Sequence, residues 1–249
     1  MNNQIGVVLL WVCLYACGMK SDNMETSQPV QELPQKDSVA MDTAVAVGEL
    51  ETALIAKGLV NIQDVDSTIL VDLKYSTTDN FVGADVYGEL DNCYLQPAVA
   101  QMLQQAHTYL KADYPDYRFL VYDGVRPLRV QQILWDTLDA PLEEKPKYVA
   151  DPKEGSIHNY GSAVDLTLAD TASNPLDMGT GYDHFGYLAY PIHEDDLLKS
   201  GELSEAQVQN RRILRSVMEK AGFSPITSEW WHFNAFSRKE AARRYAIVE

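Results

Sequence analysis

The sequence predicts an α+β domain, a small and mainly antiparallel sheet packed with helices, and three observations carry that expectation. Two long stretches repeat their apolar residues at helical spacing and begin with helix-start signals. Short β-branched or aromatic runs, bounded by turn residues, lie between and after them. The chain has 249 residues, 46% of them apolar, which is enough for one well-packed domain of ordinary size.

Taken in order, the chain opens on an apolar run, IGVVLLWVCLYAC. At about a dozen residues it is too short for a membrane-spanning helix and suited to the core of a signal peptide. Leu14-Tyr15-Ala16-Cys17 is similar to a bacterial lipobox, in which a small residue precedes the cysteine that receives lipid, although MNNQIG supplies no Lys or Arg before it. An ordinary cleaved signal or a buried N-terminal helix are the other readings. Residues 1–17 are therefore expected to be a signal segment with a lipid-accepting Cys17, making the protein an exported lipoprotein that faces the periplasm or the cell surface. Residues 18–51 are polar and acidic, with two prolines and no sustained period, a composition that cannot bury enough surface to order itself. As a flexible linker they would reach roughly 30 Å. The folded domain is expected over residues 52–249.

Pro97 opens the first helix, with Val99, Met102, Leu103, Ala106 and Leu110 at helical spacing and the proline in its favoured first-turn position. RFLVYDGV and SAVDLTL then read as strands. Ser204 to Gln207 is a capping-box candidate ahead of Val208, Leu214, Val217, Met218 and Ala221, and Gly222 stands where a C-terminal cap glycine belongs. SEWWHF completes the strands.

Charge and cysteine content exclude whole classes of function. With 36 acidic against 20 basic side chains the formal charge is −16, which repels a phosphate backbone, so nucleic acid is not an expected partner. Only Cys93 lies in the body of the chain, so neither an internal disulfide nor a thiolate metal cluster can be built there. Cys93 reads as a structural thiol.

The chemistry concentrates in two short stretches. In SIHNYGSAVD, His158 and Asp165 stand seven positions apart around Gly161, and strand alternation puts Asp165 on the face opposite Val164, Leu166 and Leu168, away from the core. The pair is either half of a metal site or a hydrogen-bonded pair at a strand edge. Glu229-Trp230-Trp231-His232 adds an imidazole and a carboxylate between large aromatics. A catalytic zinc needs three protein ligands, an open position for water and a base that is not itself a ligand. His158, Asp165 and His232 can fill the first role and Glu229 the last, provided a turn or bulge brings Glu229 and His232 to one side. The other reading of the second stretch is an aromatic core strand with its polar residues in solvent.

These residues carry a resemblance. S-x-H-x-x-G-x-A-x-D at Ser156 to Asp165, followed by E-W-W-H at Glu229 to His232, resembles the signature of the zinc D-Ala-D-Ala peptidases, most closely the VanX-type D-alanyl-D-alanine dipeptidases of peptidase family M15. The similarity extends through DLKYSTTDNFVG, YDGVRP, DMGTGYDHF and QNRRILRSVMEKAGF, in the family's order, over roughly Ile55 to Phe236. It implies the hedgehog/DD-peptidase-like fold. It also implies one Zn²⁺ per chain on His158, Asp165 and His232, with Glu229 as the base that takes a proton from water and later passes one to the leaving amine. Arg126 matches the arginine that stabilises the oxyanion, a task suited to a permanently charged guanidinium with fixed parallel donors. By the same resemblance Asp183 pairs with the substrate's free ammonium group, Tyr75 assists it, and Ser156 binds the terminal carboxylate. Val125 departs from the pattern, which commonly has tyrosine there. Read without the family, Arg126 fits a surface turn, Tyr75 a core aromatic, and Asp183 with His184 a solvated loop pair.

His107 and His193 have no counterpart in a site, and the charged segment 139–155 is either a border to the active site or a plain surface loop. The expected activity is zinc-dependent hydrolysis of D-alanyl-D-alanine, in cell-wall dipeptide turnover or glycopeptide resistance. The alternatives are a D,D-carboxypeptidase or peptidoglycan endopeptidase of the same superfamily, or a non-catalytic wall-binding lipoprotein. Asp183 favours the dipeptidase, because a carboxylate that neutralises the substrate's amino terminus restricts the site to dipeptides.

Overall fold

The computed structural model describes residues 48–249. The signal segment, Cys17 and nearly all of the expected linker lie outside them. The elements are α1 (Glu49–Ala56), β1 (Val60–Asn61), α2 (Ile62–Val65), β2 (Leu70–Val71), β3 (Tyr94–Leu95), α3 (Pro97–Asp113), β4 (Arg118–Asp123), α4 (Leu128–Thr137), β5 (Ala163–Ala169), α5 (Glu194–Ser200), α6 (Glu205–Lys220), β6 (Ser224–Pro225), β7 (His232–Asn234) and α7 (Arg238–Arg244). The linker expected to end at residue 51 gives way to helix at Glu49 instead. Glu51 is buried there and accepts hydrogen bonds from Asn92 and the Tyr94 hydroxyl, which tie α1 to the domain.

Five strands form the main sheet in the order β2-β4-β5-β7-β6, and β1 pairs with β3 in a separate antiparallel ribbon. Within the main sheet β4, β5, β7 and β6 are antiparallel neighbours, while β2 runs parallel to β4. The parallel pair follows from the connection: a chain returning in the same direction needs a long crossover, and β3 with α3 supplies it. α3 and α6 pack on each other and on one face of the sheet, burying Leu103, Leu110, Leu214 and Met218 against Phe119, Val164, Leu166 and Phe233.

Both expected helices form as the local signals indicate. Pro97 occupies the first turn of α3. Ser204 and Gln207 complete a reciprocal capping box on α6, and Gly222 follows its end at φ +96°. Strand β5 departs from the alternation argument, because every one of its residues is buried. The face carrying Asp165 and Thr167, expected to point away from the core, is covered by the segment after β5, in which Tyr182 donates to Asp165. The SEWWHF run is strand only from His232 onward; Ser228 to Trp231 is irregular chain.

Candidate active site

Strand register assembles the centre of the site. Asp165 on β5 stands directly opposite His232 on β7 and Asp123 on β4, so three polar residues form a row across three adjacent strands. Directly opposed residues project to the same face of a sheet, which brings the Asp165 carboxylate to 2.9 Å from His232 Nδ1.

His158 reaches the same point from a short 3-10 turn, Ile157–Tyr160. Ser156 caps the turn by accepting from the His158 backbone N–H, and Asn159 accepts in return from the Ser156 N–H. Gly161 ends it at φ +62°, where a Cβ would also come within 2.9 Å of Leu59. His158 Nδ1 donates to the Gly124 carbonyl at 2.7 Å, which leaves Nε2 bare and aimed at Asp165 Oδ1, 3.2 Å away, and at His232 Nδ1, 3.1 Å away. Gly124 is itself required, since a Cβ there would lie 2.5 Å from Cys93 Sγ. The buried Cys93 thus packs as a structural thiol.

One donor atom from each of His158, Asp165 and His232 lies within 4.8 Å of the others. The edge of a tetrahedron built on zinc–ligand bonds of about 2.0–2.1 Å is roughly 3.3 Å, close to the separations just given. Two imidazoles and one carboxylate are a donor set that zinc accepts, and the residues fit it. Each donor is also oriented from behind: His158 by Gly124, Asp165 by the Tyr182 hydroxyl at 2.9 Å, and His232 by Asn234 Oδ1, 2.9 Å from its Nε2. Although burial opposes it, the two histidines hold the Asp165 carboxyl well below the usual carboxylate range. Burial likewise opposes protonation of His232, yet the Asp165 hydrogen bond and charge outweigh it and raise His232 to about 9 in the metal-free protein.

The bend that the sequence argument required between Glu229 and His232 is present, and Glu229 Oε2 lies 4.0 Å from His232 Nδ1 on the same side. Burial raises the Glu229 carboxyl above its ordinary range, the direction a proton acceptor near neutral pH needs.

Arg126 is not on a surface turn. It is 8% exposed, its Nε and one terminal nitrogen donate to the fully buried Asp123 at 2.9 and 2.6 Å, and its other terminal nitrogen donates to Gln131 at 3.1 Å. Three of its five N–H groups are thus committed, leaving two for a ligand. Tyr75 packs on it, with the guanidinium 5.0 Å from the ring centroid, while Val125, where the family commonly has tyrosine, is buried in the core. Tyr75 is therefore a core aromatic and a site residue at once. Its hydroxyl donates to Asp183 at 3.1 Å. Asp183 adopts a left-handed φ of +56°, which Asp tolerates better than most residues, and turns inward while His184 stays exposed. Burial pushes the Asp183 carboxyl up to about 8, against the opposing charge of Arg126.

His158, Asp165, His232, Glu229, Arg126, Tyr75 and Asp183 line one cleft of about 440 Å³, and Ser156 lies within it. The 139–155 segment borders it through Lys147, Tyr148 and Glu154. His107 is buried elsewhere beside Asp66, and His193 stacks on Tyr187. Asp123, Gln131, Tyr182 and Asn234, which hold Arg126, Asp165 and His232, are not among the residues that local sequence patterns single out. Asn234 could have been found from His232, since positions two apart on a strand share a face. Gln131 lies on α4, whose Val130, Leu134 and Trp135 carried an unread helical period.

Two imidazoles and a carboxylate converging within reach of one ion, a second, half-buried carboxylate beside them and an anchored arginine in one cleft are the parts of a metal-dependent hydrolase. Residues 55–248 match the Peptidase_M15 family, described as D-ala-D-ala dipeptidase, and the chain belongs to that family. Its α+β fold agrees with the one the resemblance implied. The chain is 33% identical over 175 residues, 70% of its length and 83% of the other's, to the D-alanyl-D-alanine dipeptidase of Escherichia coli (strain K12). It is 30% identical to the protein of the same name from Enterococcus faecalis (strain ATCC 700802 / V583), covering 65% of this chain and 83% of that one. A third, from Streptomyces coelicolor (strain ATCC BAA-471 / A3(2) / M145), is 32% identical, with 69% and 88% covered.

Proposed function

We propose that this chain hydrolyses free D-alanyl-D-alanine to two molecules of D-alanine, with one zinc ion held by His158, Asp165 and His232. The observation that carries the proposal is the sharing of one cleft by the three donors, Glu229, Arg126 and the Asp183–Tyr75 pair. When bound, zinc acts as a Lewis acid and lowers the pKa of water. Glu229 takes a proton from the attacking water and delivers it to the departing amine. Arg126 directs its two uncommitted N–H groups at the scissile carbonyl oxygen as that atom becomes anionic. Asp183 receives the substrate's ammonium group, with Tyr75 fixing the carboxylate, and Ser156 retains a hydroxyl proton to donate to the terminal carboxylate.

Chain-length selection follows from Asp183. A free dipeptide presents its ammonium group one residue from the scissile bond, which supplies the cation that a desolvated carboxylate lacks. An acylated amine supplies none, so the carboxyl stays protonated, as its burial favours, and the pairing with the substrate's amino end is lost. The zinc-loaded protein should therefore release free alanine rapidly from D-Ala-D-Ala and negligibly from N-acetyl-D-Ala-D-Ala or a stem pentapeptide, with free alanine from L-Ala-L-Ala as the stereochemical control. Equal rates on the acetylated dipeptide or the pentapeptide would replace this reading with a D,D-carboxypeptidase.

We propose further, from the sequence of residues 1–51, that the enzyme is exported and anchored by lipid on Cys17. Destroying D-Ala-D-Ala for glycopeptide resistance is useful where the dipeptide is made, in the cytoplasm, so an exported enzyme suits turnover of wall-derived dipeptides. Labelled fatty acid should enter the wild-type protein in bacterial cells and not a Cys17→Ser variant. Unlabelled wild-type protein recovered from the cytosol would overturn this localisation.

A further inference from the structure

Helix α6 contains a residue that its amphipathic pattern does not explain. Arg211 stands three positions from both Val208 and Leu214, in the middle of the buried apolar stripe, and is 1% exposed. A charged side chain at a core position requires compensating partners, and those of Arg211 are unusual in where they lie. Its Nε donates to the Met178 carbonyl at 2.7 Å and a terminal nitrogen donates to the Leu188 carbonyl at 2.9 Å. The other terminal nitrogen lies 3.9 Å from the Glu194 carboxylate. One guanidinium thus bridges the two ends of the segment 178–188, which contains Tyr182 and Asp183.

Residues 177–186 form no helix or strand, so side chains from the rest of the domain hold the segment's shape, among them Asp165 and Tyr75 on its cleft side. Backbone groups outside regular structure need partners from side chains or water, and the same face of α6 provides them. Asn210 donates to the Asp177 carbonyl at 2.9 Å and Gln207 to the Asp177 carboxylate at 2.8 Å. Arg215 bonds Glu194 through both terminal nitrogens. Positions 207, 211 and 215 are successive fours, a stripe along one side of the helix. From the other side, the Trp230 indole, next to Glu229 in sequence, donates to the Thr180 hydroxyl at 2.7 Å.

We infer that Arg211 is a positioning residue for substrate selection: it fixes the span of the 178–188 segment so that Asp183, in its left-handed conformation, meets Tyr75 in the cleft. The inference rests on the reading of Asp183 as the acceptor of the substrate's ammonium group. A guanidinium suits the task because its planar fork reaches two carbonyls at once, which a lysine ammonium on a single flexible stem does not.

The test compares Arg211→Lys, Asn210→Ala and Asp183→Ala in zinc-loaded full-length protein, each assayed with D-Ala-D-Ala and its N-acetyl derivative, with zinc content measured alongside. Misplacement of a binding group by about 1 Å costs up to about a hundredfold. Arg211→Lys should accordingly raise KM for the free dipeptide about tenfold or more while zinc and kcat are largely retained, and should narrow the preference for free over acetylated substrate. Asn210→Ala, at the helix surface, should shift KM the same way by a smaller factor, and it decides the matter if Arg211→Lys does not fold. A purely structural role would lower the melting temperature and the yield of active protein with KM and substrate preference unchanged, and that result overturns the inference. If Asp183→Ala loses the preference and neither α6 variant affects it, the clamp is refuted and the Asp183 reading stands. If Asp183→Ala keeps the preference, the Asp183 reading fails and the clamp with it.

Discussion

His158→Ala and His232→Ala will each yield protein without stoichiometric zinc and without measurable dipeptidase activity, whereas the wild type will bind one zinc per chain. The expectation follows from the number of donors. Three side-chain atoms converge within 4.8 Å, and removing one leaves two, fewer than a catalytic zinc site uses. The neighbouring side chains cannot substitute: the buried Asp123 is already occupied by Arg126 and Tyr87, and Asn234 approaches His232 from the far side of the ring. Metal analysis of purified variants is the direct measurement, and full zinc in both would show that the ligands are misassigned. A pH dependence accompanies it. Because His232 titrates at about 9 in the metal-free protein, it is protonated at neutral pH and must lose a proton to become a ligand. Zinc affinity should therefore rise by about tenfold per pH unit across the neutral range and level off as pH passes about 9. Competition with a chelator at several pH values measures it, and a flat profile would count against His232 as a ligand.

Glu229→Gln should lower kcat by at least about a hundredfold with zinc still bound, the lower range for loss of a general acid–base group. The amide keeps the shape and the contact near His232 but cannot accept a proton. Burial strengthens the expectation, since it raises the Glu229 carboxyl and leaves it a better base than a carboxylate in water. Turnover close to that of the wild type would remove Glu229 from the mechanism. Arg126→Ala provides the comparison in the same assay. If its two uncommitted N–H groups act mainly in the transition state, kcat falls by about 10²–10³-fold. A rise in KM at constant kcat would make it a substrate-binding residue instead. This variant also strips the buried Asp123 of its principal partner, so its melting temperature has to be compared with that of Glu229→Gln.

Much of the site was legible because its residues lie in short motifs. His158, Gly161 and Asp165 sit within ten residues of one another, as do Glu229 and His232, and local turn and strand rules suffice to suggest metal chemistry. The helices from Pro97 and Ser204 were legible for the same reason, since caps and apolar period are properties of neighbouring residues. What local rules do not tell is which polar side chains become buried, because the fold decides that. Asp183 passes for a solvated loop acid until Tyr75, 108 positions away, is found bonded to it. Arg126 passes for a turn residue until Asp123 and Gln131 are seen to bury it. Asp165 was expected to face away from the core because strand alternation describes two faces without saying what covers them.

Local sequence shows which groups are available: two imidazoles, a carboxylate and a base in local frames that point to zinc, a cysteine in the body of the chain, and an excess of acidic side chains. How those frames meet depends on the packing of the folded domain. The pairing of β5 with β7 sets Asp165 opposite His232, and a shift of one residue in that register would send one of them to the other face of the sheet. Similarly, α6 and Tyr75 together fix an otherwise irregular segment so that Asp183 enters the cleft. Backbone propensity acts over a few residues, whereas register and loop placement depend on how separate faces bury one another, and that is settled by the packing of the whole domain.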